Sequence, residues 1–126
     1  PIKSSAASDV YKRQTLLYRL VFNLVENAIR YSRSGSTVNV SICDNDSHVI
    51  LRVKDEGPGI PKQYRESIFQ PFFRLDKSRS RAYGGAGLGL ALVWEIAALH
   101  GGTVEVEESS ENGTVMLVTL SKGATT

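Results

Sequence analysis

Apolar positions in the first half of the chain keep a helical step. Between residues 15 and 32, Leu17, Leu20, Val21, Leu24 and Ala28 recur every three or four positions and share one face. Ser34-Gly35-Ser36 supplies the turn chemistry that ends this helix. The step then shortens to two. In 37–43, Val38, Val40 and Ile42 alternate with Asn39 and Ser41; in 48–55, Val49, Leu51 and Val53 alternate with Ile50, Arg52 and Lys54. The polar Asp44-Asn45-Asp46-Ser47 between them predicts an antiparallel hairpin. Residues 88–100 are helical again, with Leu88, Leu92, Ile96 and Leu99 as the stripe and Gly101-Gly102 as the stop. Two last strands, 103–107 and 114–120, flank a turn at Glu111-Asn112-Gly113. Helices and hairpins in this order predict an α+β chain, a two-layer α/β sandwich and not a doubly wound parallel sheet.

Two stretches break the pattern. Residues 1–14 are small and polar without an amphipathic period, and read as a non-native or disordered leader. With 122–126 as a frayed tail, the folded domain is expected at 15–121. Residues 56–86 offer only short helical possibilities, such as 61–69. Loops beyond about 12–15 residues are uncommon in compact domains unless they bind something or move. Function is therefore expected there.

Composition narrows the classes. At 126 residues the chain is one domain with room for its own core. A net charge of +2 is too small to argue for nucleic acid or for membrane contact. The single cysteine, Cys43, excludes an internal disulfide and fits a reducing, cytoplasmic setting. No apolar run approaches the 18 residues of a membrane span, so a membrane-anchored parent would carry its anchor elsewhere.

The glycines carry the first chemistry. Eight of eleven fall in three clusters: Gly57 with Gly59; Gly84, Gly85, Gly87 and Gly89; and Gly101 with Gly102. The last pair reads as a helix stop. In Asp55-Glu56-Gly57-Pro58-Gly59-Ile60, strand parity sends Asp55 to the same side as Val49, Leu51 and Val53. An unpaired carboxylate there costs several kcal/mol, so it needs a donor. The exocyclic amine of adenine is one candidate, with the glycines letting the base approach the backbone. A carboxylate capping its own turn is the other, and the hexapeptide alone does not choose.

On the first helix, Asn23 and Asn27 are one turn apart, with Arg30 and Tyr31 a turn further on, at the border of the apolar stripe. An amide oxygen is a hard ligand that suits Mg²⁺, Arg30 suits phosphate, and Tyr31 suits a base face. Hydrogen bonding to a neighbouring loop would explain the same residues. Finally, Gly84-Gly85-Ala86-Gly87-Leu88-Gly89 opens a helix, where free N–H groups attract anions. Arg74, Lys77, Arg79 and Arg81 lie just upstream and read as a lid over a triphosphate, with Phe69, Phe72 and Phe73 as an apolar hinge or as core.

In order, NLVENAIRYS, DEGPGI, IFQPFFRLDKSRS and GGAGLGLALV resemble the N, first glycine, phenylalanine and second glycine boxes of sensor histidine kinase catalytic domains. The resemblance covers residues 16–120. It implies the Bergerat fold, a mixed, mostly antiparallel sheet with helices on one face, binding ATP or ADP with Mg²⁺. It assigns Asn27 to the metal, Asn23 to the phosphate side, Arg30 to phosphate, and Tyr31 to adenine. Asp55 would take the adenine amine, with Gly57, Gly59 and Ile60 shaping that end. Gly85, Gly87, Leu88 and Gly89 would frame phosphates beneath a lid bearing Arg74 and Lys77. The implied reaction moves the γ-phosphoryl to a histidine on a separate helical dimerisation domain, and thence to a response regulator. His48 and His100 do not sit in such a helical context. Three departures stand out. The acceptor domain is missing from the sequence, residues 1–14 do not match the family's edge strand, and Asn23 stands where sister ATPases carry a water-activating glutamate. Slow transfer to a docked nucleophile is then expected over fast hydrolysis, with Glu26 as a weak substitute base. The alternatives are an anti-sigma-type serine kinase and a non-catalytic nucleotide-binding module.

Overall fold

The computed structural model describes residues 4–73 and 88–123, with 4–11 as backbone only. Helix α1 runs Ser4–Tyr31 and is followed by strands β1 (Asn39–Asp44) and β2 (His48–Asp55). Two single 3₁₀ turns, Lys62–Tyr64 and Ser67–Phe69, lead towards helix α2 (Gly89–Leu99), and β3 (Thr103–Ser110) and β4 (Gly113–Ser121) close the chain.

The four strands lie in the order β1-β2-β4-β3, and every pairing among the described residues is antiparallel. The parallel component expected of a mixed sheet does not occur there. Both helices cover one face. Helix α1 packs on β2 and on α2, and α2 reaches β3 and β4. The core lies between the layers: Leu20, Leu24 and Ala28 of α1 meet Leu51 and Val53 of β2, Val93 and Ile96 of α2, and Met116 and Val118 of β4. Each fully buried aliphatic side chain contributes about 1.5–3 kcal/mol relative to exposure, so this layer dominates stability.

Several boundaries differ from the sequence reading. Helix α1 starts at Ser4, not at Thr15, so residues expected to be a disordered leader continue the helix. No glycine or proline lies between positions 4 and 31, and Ala6, Ala7, Lys12, Arg13 and Gln14 are good helix formers. A helix nucleated on the core therefore propagates backwards at little cost. Strand β3 is three residues longer than expected, because the tight hairpin at Glu111-Asn112 allows pairing up to Ser110 opposite Gly113.

Strand β1 departs most. The register pairs Val40 and Ile42 with the core residues Val53 and Leu51, yet they are 45% and 66% exposed. The strand is at the sheet edge, and α1 lies over β2, its neighbour, so the alternation is real but nothing described covers it. Among the described residues no helix is long and apolar enough to cross a membrane.

Candidate functional site

Strand β2 delivers Asp55 to the end of the buried layer, on the same side as Leu51 and Val53, as parity required. Asp55 is 6% exposed. Burial pushes its carboxyl above the usual carboxylate range, and the N–H groups of Gly57 and Thr114 partly oppose this. Gly57 N–H donates to Oδ1 over 2.8 Å, so Asp55 does cap its own turn. That turn-capping and the recognition of a ligand are compatible, because a carboxylate accepts about four hydrogen bonds.

The glycines beside it are required by close approach. A Cβ on Gly57 would lie 2.5 Å from the Tyr31 carbonyl oxygen, so the end of α1 backs directly onto the Asp55 turn. Gly59 has φ +87°, and a Cβ there would run into the Ser110 carbonyl. Ile60 is partly buried against the core, and its N–H donates to Ser109 Oγ over 2.8 Å.

Helix α1 aligns the other residues. Asn23, Asn27 and Arg30 are half-buried on the flank beside Leu20, Leu24 and Ala28, and Tyr31 is exposed at the helix end. From Asn23 to Tyr31 the helix advances about 12 Å at roughly 1.5 Å per residue. At the far end, Asn23 meets the start of α2: a Cβ on Gly89 would lie 3.1 Å from Asn23 Oδ1. The Asn23 amide donates to the Arg19 carbonyl over 2.7 Å, which aims Oδ1 outward from the helix. Leu88, just before α2, is exposed. Arg30 donates to Glu26 Oε1 at 3.0 Å, so the carboxylate considered as a substitute base is paired with the cation considered for phosphate.

The structure thus brings Asp55, Gly57, Gly59 and Ile60 to the C-terminal end of α1 beside Tyr31, and Leu88 and Gly89 to Asn23 about two turns back along the helix, with Asn27 and Arg30 between. Arg74, Lys77, Gly85 and Gly87 lie outside the described residues, as does the rest of the expected lid. Of the phenylalanines, Phe69 is core and packs on Trp94 with ring centroids 5.5 Å apart. Phe73 leans on Tyr64 at 5.7 Å. Phe72 is 68% exposed with φ 65°, a left-handed conformation that costs a bulky residue roughly 1–2 kcal/mol. Among the described residues, Phe72 alone of the phenylalanines is neither core nor paired with another ring.

Sequence reasoning missed Thr114, which is 3% exposed and directly opposite Asp55 across β4. Its strand parity, shared with Met116 and Val118, was the available signal. Arg65 and Ser109 carried no sequence signal, because the contact they make joins positions 44 apart. A wide solvent-open groove is bounded by Asn23, Phe69, Leu88, Gly89, Trp94 and Val104; Asp55 and Asn27 do not line it, so groove size is no guide to the buried acid. His48 Nδ1 lies 2.8 Å from Ser47 Oγ, and His100 Nδ1 donates to the Ile96 carbonyl at 2.9 Å, so His100 serves the end of α2.

Known proteins match this chain in sequence and fold. SenX3, a sensor-like histidine kinase of Mycobacterium tuberculosis, is 45% identical over 121 residues, which is 94% of this chain and 30% of that protein. The chain therefore spans less than a third of the length of such relatives. The mycobacterial sensor histidine kinase MprB superposes with TM-score 0.73 at 35% identity, over 85% of this chain and 70% of that one. Full-length ShkA, solved in complex with AMPPNP, gives TM-score 0.72 at 29% identity, over 83% of this chain and 21% of that one. The family model for histidine kinase-, DNA gyrase B- and HSP90-like ATPases matches residues 12–124. With its antiparallel sheet under two helices and its glycine-flanked buried acid, the chain belongs to that ATPase family, on its histidine kinase branch.

Proposed function

We propose that this domain binds ATP with Mg²⁺ and passes the γ-phosphoryl to a histidine of a separate helical dimerisation domain, which in turn serves a response regulator. The observation that carries the reading is Asp55, a buried acid at the end of β2 in a turn whose glycines let the end of α1 and the end of β3 close in around it. Its carboxylate accepts the exocyclic amine of adenine, and Tyr31 lies along the base. The distance down α1 suits an extended nucleotide, with Asn27 and Asn23 meeting the phosphate side and Leu88-Gly89 opening α2 beside them.

The donor set fits Mg²⁺ that arrives on the phosphates. Among the described residues no group of three or more His, Cys, Asp or Glu could hold a metal. Asn27 offers one neutral, half-buried amide oxygen. Mg²⁺ is held in this way in many phosphate sites, by one or two protein ligands plus phosphate and water. When bound, it would neutralise charge on the transferring group.

Transfer is favoured over hydrolysis by the side chains near the phosphate end. Asn23 cannot take a proton from water, and Glu26 is engaged by Arg30. A docked imidazole brings its own nucleophile and needs no such base. The complex of full-length ShkA with AMPPNP supports nucleotide binding by this kind of domain.

Calorimetry with ADP, with and without Mg²⁺, tests the first half. Asn27→Ala should abolish the Mg²⁺ dependence, and Asp55→Asn should abolish binding while the chain stays folded. The second half is tested by mixing the domain with a histidine-bearing helical domain from a matching kinase and labelled ATP. Acid-labile label on that partner is expected. Acid-stable label would instead indicate a serine kinase, and no label despite tight binding would leave only a nucleotide-binding module.

A further inference from the structure

The Asp55 turn is Glu56-Gly57-Pro58-Gly59, and glycine-rich segments hold little shape of their own. Its far end is tied down by Arg65, close by in sequence, and by Ser109, remote from it. Arg65 Nε donates to the Ile60 carbonyl over 3.2 Å, and its Nη2 donates to the Ser109 carbonyl over 3.0 Å. Ser109 Oγ accepts the Ile60 N–H over 2.8 Å and shares a hydrogen with Thr114 Oγ1 at 2.7 Å. Thr114 in turn faces Asp55 and gives it a backbone hydrogen bond. One hydrogen-bonded strap therefore runs from Arg65 through Ile60, Ser109 and Thr114 to the buried acid.

A bulge makes this strap possible. The register of β3 shifts between Val106 and Glu108, so that Ser109 pairs with Thr114. Uninterrupted pairing from Val106 with Met116 would set Glu108 opposite Thr114, putting a second carboxylate beside the Asp55 corner. The inserted residue, Glu107, is held by Arg52 through two hydrogen bonds of 2.8 and 2.9 Å. Bulges of this type commonly re-aim a side chain near a site.

We infer that Arg65 and Ser109 are positioning residues of the nucleotide site, which set adenine selectivity by fixing the Asp55 turn against β3. The inference rests on the reading of Asp55 as the adenine acceptor. Neither residue belongs to the hydrophobic layer, and neither need touch ligand. Recognition through a single amine hydrogen bond depends on placement within a fraction of an ångström, which glycines by themselves do not provide.

The test compares ADP with inosine diphosphate, which lacks the exocyclic amine, by calorimetry on the full chain. Ser109→Ala and Arg65→Gln should each weaken ADP about five- to tenfold, the worth of one lost hydrogen bond, while changing inosine diphosphate little. The preference ratio collapses, whatever happens to the unfolding midpoint. Ser109→Thr, which keeps the hydroxyl, should restore it. If both variants keep the wild-type ratio, or weaken the two nucleotides in parallel, the strap is structural only and the inference is overturned. Should either variant fail to fold, the other decides. Failure of the underlying reading looks different: wild type would show no preference, or Asp55→Asn would keep it.

Discussion

At the residue scale, one carboxylate is asked to be both buried and charged. Burial raises the Asp55 pKa, so the native state binds its proton more tightly than the unfolded chain does. Its contribution to folding is therefore most favourable below the ordinary carboxylate range and is lost as pH rises through the raised value. The proposed adenine recognition has the opposite demand, since acceptance of an amine needs the carboxylate. The ADP preference over inosine diphosphate should then decline on acidification, starting at a higher pH than an exposed aspartate would dictate. Using the ratio cancels phosphate titration common to both nucleotides. A pH-independent ratio down to the ordinary carboxylate range would remove Asp55 from recognition. Asp44 and Glu107 behave conversely: hydrogen bonds and charge from Lys122 and Arg52 lower their pKa values, so what they add is lost only as pH falls through those lowered values.

At the element scale, α1 and β1 show how the same alternation of apolar residues has different worth. Leu24 is buried between α1, β2 and α2, so Leu24→Ala should cost about 2–5 kcal/mol in chemical denaturation. Ile42 is equally apolar but two-thirds exposed on the edge strand, and Ile42→Ala should stay within about 0.5 kcal/mol of wild type. Comparable losses at both sites would mean that β1 is covered in solution. The two helices and the strands β2, β3 and β4 were readable from periodicity because each has a buried face, and β1 because its alternation persists although it is exposed. Their ends were less readable. Helix α1 extends back to Ser4 because nothing in the local sequence stops it, and β3 extends to Ser110 because its partner strand is there to receive it.

At the scale of the whole molecule, nucleotide binding should be linked to folding. Mg²⁺-ADP at about a hundred times its dissociation constant should stabilise the domain by roughly 2.7 kcal/mol, seen as a rise in Tm that Asn27→Ala diminishes. The same preparation with labelled ATP should leave His48 and His100 unlabelled, since His100 Nδ1 is bonded to the end of α2 while its Nε2 is buried, and His48 sits at the start of β2 beside Ser47. Label on either would contradict transfer to a separate domain. Much of the candidate site was visible in the order of its motifs: the inward direction of Asp55 followed from strand parity, and the shared flank of Asn23, Asn27 and Arg30 from helical spacing. Such periodicities are local, and a sequence states them directly. What only the tertiary structure decided are the meetings between distant segments. These are the Tyr31 carbonyl against Gly57, Asn23 against Gly89, Thr114 beside Asp55, and the Arg65–Ser109 strap made possible by a bulge. Those contacts depend on register and on which layer covers which strand, and both emerge only when the apolar faces close on one another.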